Sequence, residues 1–189
     1  MKLLKDRILK DGRVLEGNIL KVDNFLNHQI DVELFNEMGK ELKKRYEGTE
    51  ITKILTVEVS GIAIAAIVAQ YFNVPVVFAK KHAGRNMDKD SYEADVYSYT
   101  KDATYKIKVA KKFLNEKDSL LLVDDFLANG QALLGLIELA NQSGAKVAGA
   151  GIAIEKAFQH GRELVEEKGV RVESLAIIEK MEDRQLIFK

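Results

Sequence analysis

The chain contains no cysteine, which removes disulfides, thiolate nucleophiles and cysteine metal sites from consideration. Proline is nearly absent: Pro75 is the only one, and no low-complexity linker or internal repeat interrupts the sequence. No charge sign dominates, since Lys+Arg and Asp+Glu each number 29. That balance predicts neither a nucleic-acid nor a membrane partner, although it is compatible with a local basic patch. Long apolar runs are missing as well. The longest, 62–69, is far short of the about 20 residues a bilayer-spanning helix needs. The opening MKLLKDRILKDGRV carries charges throughout and lacks the apolar centre of a signal peptide. A cytoplasmic protein is expected.

What is present is 189 residues, 47% apolar and 31% charged, the composition of an ordinary globular domain with room for a core. A single domain over 1–189 is expected. Apolar residues at 34, 35, 38, 42 and 46 recur at helical spacing behind Asp31, which is placed to cap the helix. Lys53 to Val57 reads as a strand, Ile62 to Phe72 as an Ala-rich helix ended by Asn73-Val74-Pro75, and Val76 to Ala79 as the next strand. Strand Leu120 to Val123, helix Ala132 to Gln142, strand Val147 to Ile154, helix Lys156 to Lys168 and strand Val172 to Ile178 follow. This alternation predicts an α/β fold, a parallel sheet with helices on both faces.

Two segments break the rhythm. Residues 12–30 read as irregular. Residues 80–103, KKHAGRNMDKDSYEADVYSYTKDA, are long and polar, which in a compact domain points to a lid or binding loop. Beyond them Tyr105, Ile107 and Val109 alternate with lysines, as in a half-exposed strand.

The chemistry concentrates in LLLVDDFLANGQALLGL, 120–136. An apolar strand runs into Asp124 and Asp125, then into a small loop and a helix. Ligands of open α/β sheets sit beyond the carboxyl ends of the strands, and free N–H groups at a helix start make a phosphate cradle. Small residues at Ala128, Asn129 and Gly130 let the backbone approach closely. Acids beside a phosphate nest make sense for a sugar phosphate, whose hydroxyls donate to the carboxylates. A solvated turn is the plainer alternative for an Asp-Asp pair. A receiver domain is a weak reading on length, because only 64 residues follow Asp125.

VDDFLANGQA resembles the PRPP-binding motif of the type I phosphoribosyltransferase family, and the similarity continues through GAKVAGAGIAIEKAFQHGR. It covers nearly the whole chain and is nearest to the bacterial xanthine-using members. The resemblance implies a parallel-sheet core with a small N-terminal hood (1–30) and a flexible catalytic loop (80–108). It implies purine salvage, with phosphoribosyl transfer from PRPP to xanthine giving XMP and pyrophosphate. A hypoxanthine/guanine transferase and a non-catalytic PRPP-sensing regulator are the alternatives. Asp124 and Asp125 would hold the ribose, and Ala128, Asn129, Gly130, Gln131 and Ala132 the 5-phosphate. Many relatives carry threonine where Asn129 and Ala132 stand.

The pyrophosphate would sit on Ser60 and Gly61, with charge compensation from Lys80 and Lys81, the latter counted as catalytic. Ser98-Tyr99 resembles the Ser-Tyr pair of the family's closing loop. Leu20, Asn27, Lys156 and Phe158 would bind the base: a lysine donates to the 6-oxo group and N7 of an oxopurine, and Phe158 offers a stacking face. Mg²⁺ would be held mainly through PRPP, with no protein-only metal site. A homodimer is implied, with no nucleic-acid or membrane partner. His28, His82 and His160 show no metal-ligand spacing and read as surface or loop residues.

Overall fold

The computed structural model describes residues 1–81, 90–98, 102–182 and 185–189. Its centre is a six-stranded sheet. Strands β3 (Lys53–Val57), β4 (Val76–Ala79), β7 (Ser119–Leu127), β8 (Lys146–Lys156), β9 (Val172–Glu182) and β10 (Gln185–Phe188) lie in the order β10-β9-β8-β7-β3-β4. All neighbours pair in parallel except the edge strand β10, which is antiparallel to β9. The expected α/β architecture is therefore present.

Helices α1 (Lys2–Asp11), α2 (Val32–Arg45) and α3 (Ser60–Phe72) bury one core with one face of the sheet. Helices α4 (Gln131–Ser143) and α5 (Gly161–Glu166) bury the other, with a hairpin of β5 (Ser91–Ser98) and β6 (Ala103–Ala110). The side-chain alternation of β7 supplies both cores. Leu121 and Val123 face α3, and Leu120 and Leu122 face α4. Both layers are dry, which is why this strand reads as an unbroken apolar run.

Local signals account for most element ends. The Asp31 carboxylate accepts the Leu34 N–H at 3.0 Å and caps α2. The same carboxylate pairs with Arg7 of α1 at 2.6 Å. Lys43, Lys44 and Arg45 occupy the last turn, where the helix dipole favours cations. Asn73 ends α3 in the left-handed conformation, with Pro75 two residues on.

The structure departs from expectation in four places. Strand β7 continues through both acids to Leu127, because β8 stays in register beside it as far as Glu155. The helix expected over 156–168 is short. Lys156 completes β8, held by pairing with Ile178 of β9, and helix resumes only at Gly161. Part of the expected polar loop is strand: 91–98 pairs residue for residue with β6. Its inward positions, Ala94 and Val96, are hidden in the sequence among Glu93, Asp95 and Tyr97. Gly135 gives this hairpin its seat on α4, since a methyl group there would lie 2.5 Å from Val96 and 3.0 Å from Ile107.

The N-terminal segment is more ordered than expected. It forms α1, a hairpin of β1 (Arg13–Leu15) and β2 (Ile19–Lys21), and a π-helical turn over Asp23–Asn27. Helix α1 escaped detection because only Leu4 and Ile8 of it are buried, too few to mark a period. Tyr99, His82 and the middle of the expected catalytic loop lie outside the described residues.

Replacing Asp31 with alanine should lower unfolding free energy by about 1 kcal/mol, the usual cost of a lost N-cap. The Leu34 N–H and Arg7 hold this carboxyl below its ordinary pKa. Its contribution is therefore present above the unfolded-state value, about 3.9, and fades as pH falls through the lower folded value. Urea titrations at pH 7 and pH 3 should show the difference between wild type and variant shrinking at the lower pH. A gap that grows at pH 3 would contradict this account.

Candidate active site

The carboxyl ends of β3, β4 and β7 converge. Asp124, buried, lies on β7 between Gly61 and Asp125, whose backbone N–H donates to Asp124 Oδ1 at 3.0 Å. Gly61 sits in the first turn of α3, where a methyl group would collide with Thr56 Oγ1 and reach within 3.3 Å of Asp124 Oδ1. Glycine is thus required there by close approach. Burial raises the Asp124 pKa well above the ordinary range, and the neighbouring charge of Asp125 adds to this. Lys81 pulls in the opposite direction.

Lys81 reaches this position through its backbone, which donates to Glu58 Oε1 at 2.6 Å and ties the end of β4 to the β3–α3 loop. Its ammonium lies 5.4 Å from the centre of the Tyr105 ring, a favourable stacking of cation on π face. Burial and the charge of Asp124 raise the Tyr105 pKa. Lys80 is exposed and placed differently. Its backbone pairs with Lys108 of β6 in both directions at 2.9 Å, and its ammonium lies over Phe78. Ser60 opens α3 half-buried beside Gly61.

Residues 128–132 line a cavity of about 200 Å³ together with Asp124, Phe126, Tyr105 and the hairpin residues Val96 to Ser98. Gly130 caps α4 with φ +76°, a conformation that favours glycine. Its Cα side is closed by Gly161: a methyl group on Gly130 would lie 2.9 Å from the Gly161 carbonyl. The Gly161 N–H donates to the Ala128 carbonyl at 3.0 Å. Asn129, Gln131 and Ala132 are half-buried around this turn. The α4 N-terminus lines the cavity, and there the first N–H groups have no intrahelical partner and the helix dipole is positive.

Of the expected base residues, Lys156 lies beside Phe126, and Leu20 and Phe158 belong to the hydrophobic cluster on which that ring packs. Lys156 Nζ lies 5.7 Å from the Phe126 ring centre and donates at 2.9 Å to the carbonyl of Asn18, in the turn of the N-terminal hairpin. Burial lowers its pKa. Leu20 is buried in the cluster against which Phe126 and Phe158 pack. Asn27, at the end of the π-helical turn, is exposed. His28 and His160 are exposed, the latter 2.9 Å from Glu163.

The arrangement can take an anion at α4 and a hydroxylated ring at the acids, with a planar group beside Phe126 and Lys156. The chain matches the phosphoribosyl transferase domain over residues 21–185. It belongs to the phosphoribosyltransferase family. It is 62% identical over 190 residues to xanthine phosphoribosyltransferase 2 of Clostridium botulinum, covering all of both chains. It is 60% identical to xanthine phosphoribosyltransferase of Clostridium novyi, again over the full length of both. Among solved structures, an APRTase from Giardia lamblia complexed with 9-deazaadenine superposes with a TM-score of 0.78 at 25% identity, covering 92% of this chain and 96% of that one. Adenine phosphoribosyltransferase from Rhodothermus marinus shares the fold, with a TM-score of 0.77 over 94% of this chain and all of that one at 17% identity.

Sequence reasoning missed Phe126, Tyr105 and Gly161. Tyr105 was within reach, because its alternation with Ile107 and Val109 puts it on their inward face. Phe126 was hidden by its place after the two acids, where the strand was expected to have ended. Gly161 carries no signal, since its importance lies in contact with a loop some thirty residues away in the chain.

Carbon-13 NMR of the aspartate carboxyls should find one group titrating above the ordinary value of about 3.9. Asp125→Asn should move that titration downward by removing the like charge, while burial keeps it above the ordinary value. An unmoved midpoint would show that Asp125 does not act on Asp124.

Proposed function

We propose that this phosphoribosyltransferase works in purine salvage, transferring 5-phosphoribosyl from PRPP to xanthine and giving XMP and pyrophosphate. The observation that carries the reading is identity of about 60% over the full length of xanthine phosphoribosyltransferases. The site's chemistry supports it. N–H groups of 128–132 take the 5-phosphate, and Asp124 and Asp125 accept from the ribose hydroxyls. The β3–α3 loop at Ser60 and Gly61, with Lys81 beside it and Lys80 at the rim, receives the pyrophosphate.

A ring nitrogen of xanthine gives up its proton to solvent and bonds to ribose C1 while the C1–oxygen bond breaks, its electron pair leaving with pyrophosphate. Positive charge develops on the sugar between these events. Asp124 and Asp125 hold the ribose in line and lend negative charge to that face, and Lys81 stabilises the departing oxygen. The acids are the hard oxygen donors that Mg²⁺ accepts, so the site fits an ion arriving with PRPP. Such an ion would offset the charge of the leaving pyrophosphate.

Lys156 can donate to the 6-oxo group and N7 of an oxopurine but has nothing to accept from the 6-amino group of adenine. Phe158 and Leu20 supply apolar contact for the ring, and Asn27 meets the 2-position if the hood closes. Cytoplasmic action and a homodimer complete the proposal. No helix of the described residues is long and apolar enough to cross a membrane.

Nucleotide formation with PRPP and Mg²⁺, offered xanthine, hypoxanthine, guanine and adenine separately, tests the reading. XMP should form fastest. A faster product from another oxopurine would leave the PRPP site standing and refute the assignment of the hood. PRPP binding without turnover on any base would replace the enzyme with a sensor. Asp125→Ala should lower turnover by about 10²-fold, the scale of a lost positioning contact, with an unchanged circular dichroism spectrum. Full turnover in that variant would remove Asp125 from the mechanism.

A further inference from the structure

Two neighbours in the chain, Glu155 and Lys156, leave β8 on opposite faces. Lys156 turns toward Phe126 and the hood, while Glu155 turns inward and is only 2% exposed. A carboxylate so deeply buried needs a partner, and its partner is Arg162. The contact is bidentate, with Arg162 Nε 2.8 Å from one carboxylate oxygen and Nη2 2.6 Å from the other. Ser174 of β9 donates to the same carboxylate at 2.5 Å. Arg162 also donates to the Val172 carbonyl at 3.1 Å and to Glu166 at 2.8 Å. Both residues are therefore locked to β9.

The residue preceding Arg162 is Gly161, whose N–H holds the Ala128 carbonyl and whose backbone closes the cavity's loop under Gly130. In the sheet, Glu155 stands opposite Leu127, the residue that opens this loop. The ion pair thus joins the neighbour of the base-side lysine to the neighbour of the glycine that braces the phosphate-side loop. None of its atoms is among those lining the cavity.

We propose that the Glu155–Arg162 pair is a positioning element that fixes the distance between the base end and the 5-phosphate end of the nucleotide site. The inference rests on the phosphoribosyltransferase reading above. Its physical content is that of a linker between two subsites. A ligand engaging both ends at once depends on their spacing, whereas a ligand engaging one end does not. Arg162→Lys keeps the charge but loses the planar fork that sets the geometry, and Glu155→Gln keeps the shape but loses the charge.

The test is calorimetric binding of XMP, xanthine and ribose 5-phosphate to wild type and both variants, with XMP synthesis by the wild type assayed beside it. XMP, which spans both ends, should lose affinity by about tenfold in each variant, while the two fragments stay within about twofold of wild type. Unchanged XMP affinity would overturn the proposal. So would an equal loss for all three ligands, which is what general loosening produces. If neither variant folds, the pair is a requirement of the fold and the positioning role fails. A wild type that makes no XMP overturns the functional reading instead, and the proposal falls with it.

Discussion

A carboxyl group buried at the end of the central strand is the constraint around which this molecule is arranged. Asp124 sits where three strand ends meet, and Gly61 at the start of α3 lies close against it and Thr56, where a methyl group would collide with Thr56 Oγ1 and lie 3.3 Å from Asp124 Oδ1. Burying a carboxylate is costly, and the surroundings answer the cost in two ways. The pKa rises, and Lys81 is brought close by a backbone contact to Glu58. The acid, the lysine and the loop that positions it are consequently one unit. A site built on rigid strands in this way keeps its groups in place better than one carried on loops alone.

The sheet decides the division of labour around that point. Leu120 and Leu122 pack toward α4 and the hairpin, and Leu121 and Val123 toward α2 and α3. The α4 face carries the cavity lined by residues 128–132, and the opposite face carries Leu20 of the N-terminal hairpin and Phe158. Phe126 lies between them, lining the cavity on one side and facing Lys156 on the other. Lys156 meanwhile donates to the Asn18 carbonyl, so the end of β8 and the N-terminal hairpin are in contact.

Glycines recur where elements approach closely: Gly135 under the hairpin side chains, Gly130 against the Gly161 backbone beneath the cavity, and Gly39 where α2 approaches the Tyr71 ring on α3. A methyl group at Gly39 would lie 2.5 Å from the Tyr71 ring. These are packing requirements, and none shows as a turn in the sequence. Gly130 is the exception, because its left-handed backbone belongs to a loop that composition alone marks as tight.

By itself the sequence determined the order of strands and helices in the core, the cap at Asp31, the end of α3 at Asn73 and the location of the acid pair. Each follows from periodicity or from one residue's local chemistry, which a neighbouring window contains in full. Only the tertiary structure decided that β7 and β8 run on past their apolar stretches. Pairing with strands distant in the chain outweighs the polar character of Asp124, Asp125 and Lys156 there. It also decided that part of a polar stretch, 91–98, is a strand seated on Gly135, that Gly161 braces the loop at Gly130, and that Glu155 pairs with Arg162 next to it. Those facts depend on contacts between segments far apart in the chain, and no local pattern carries them.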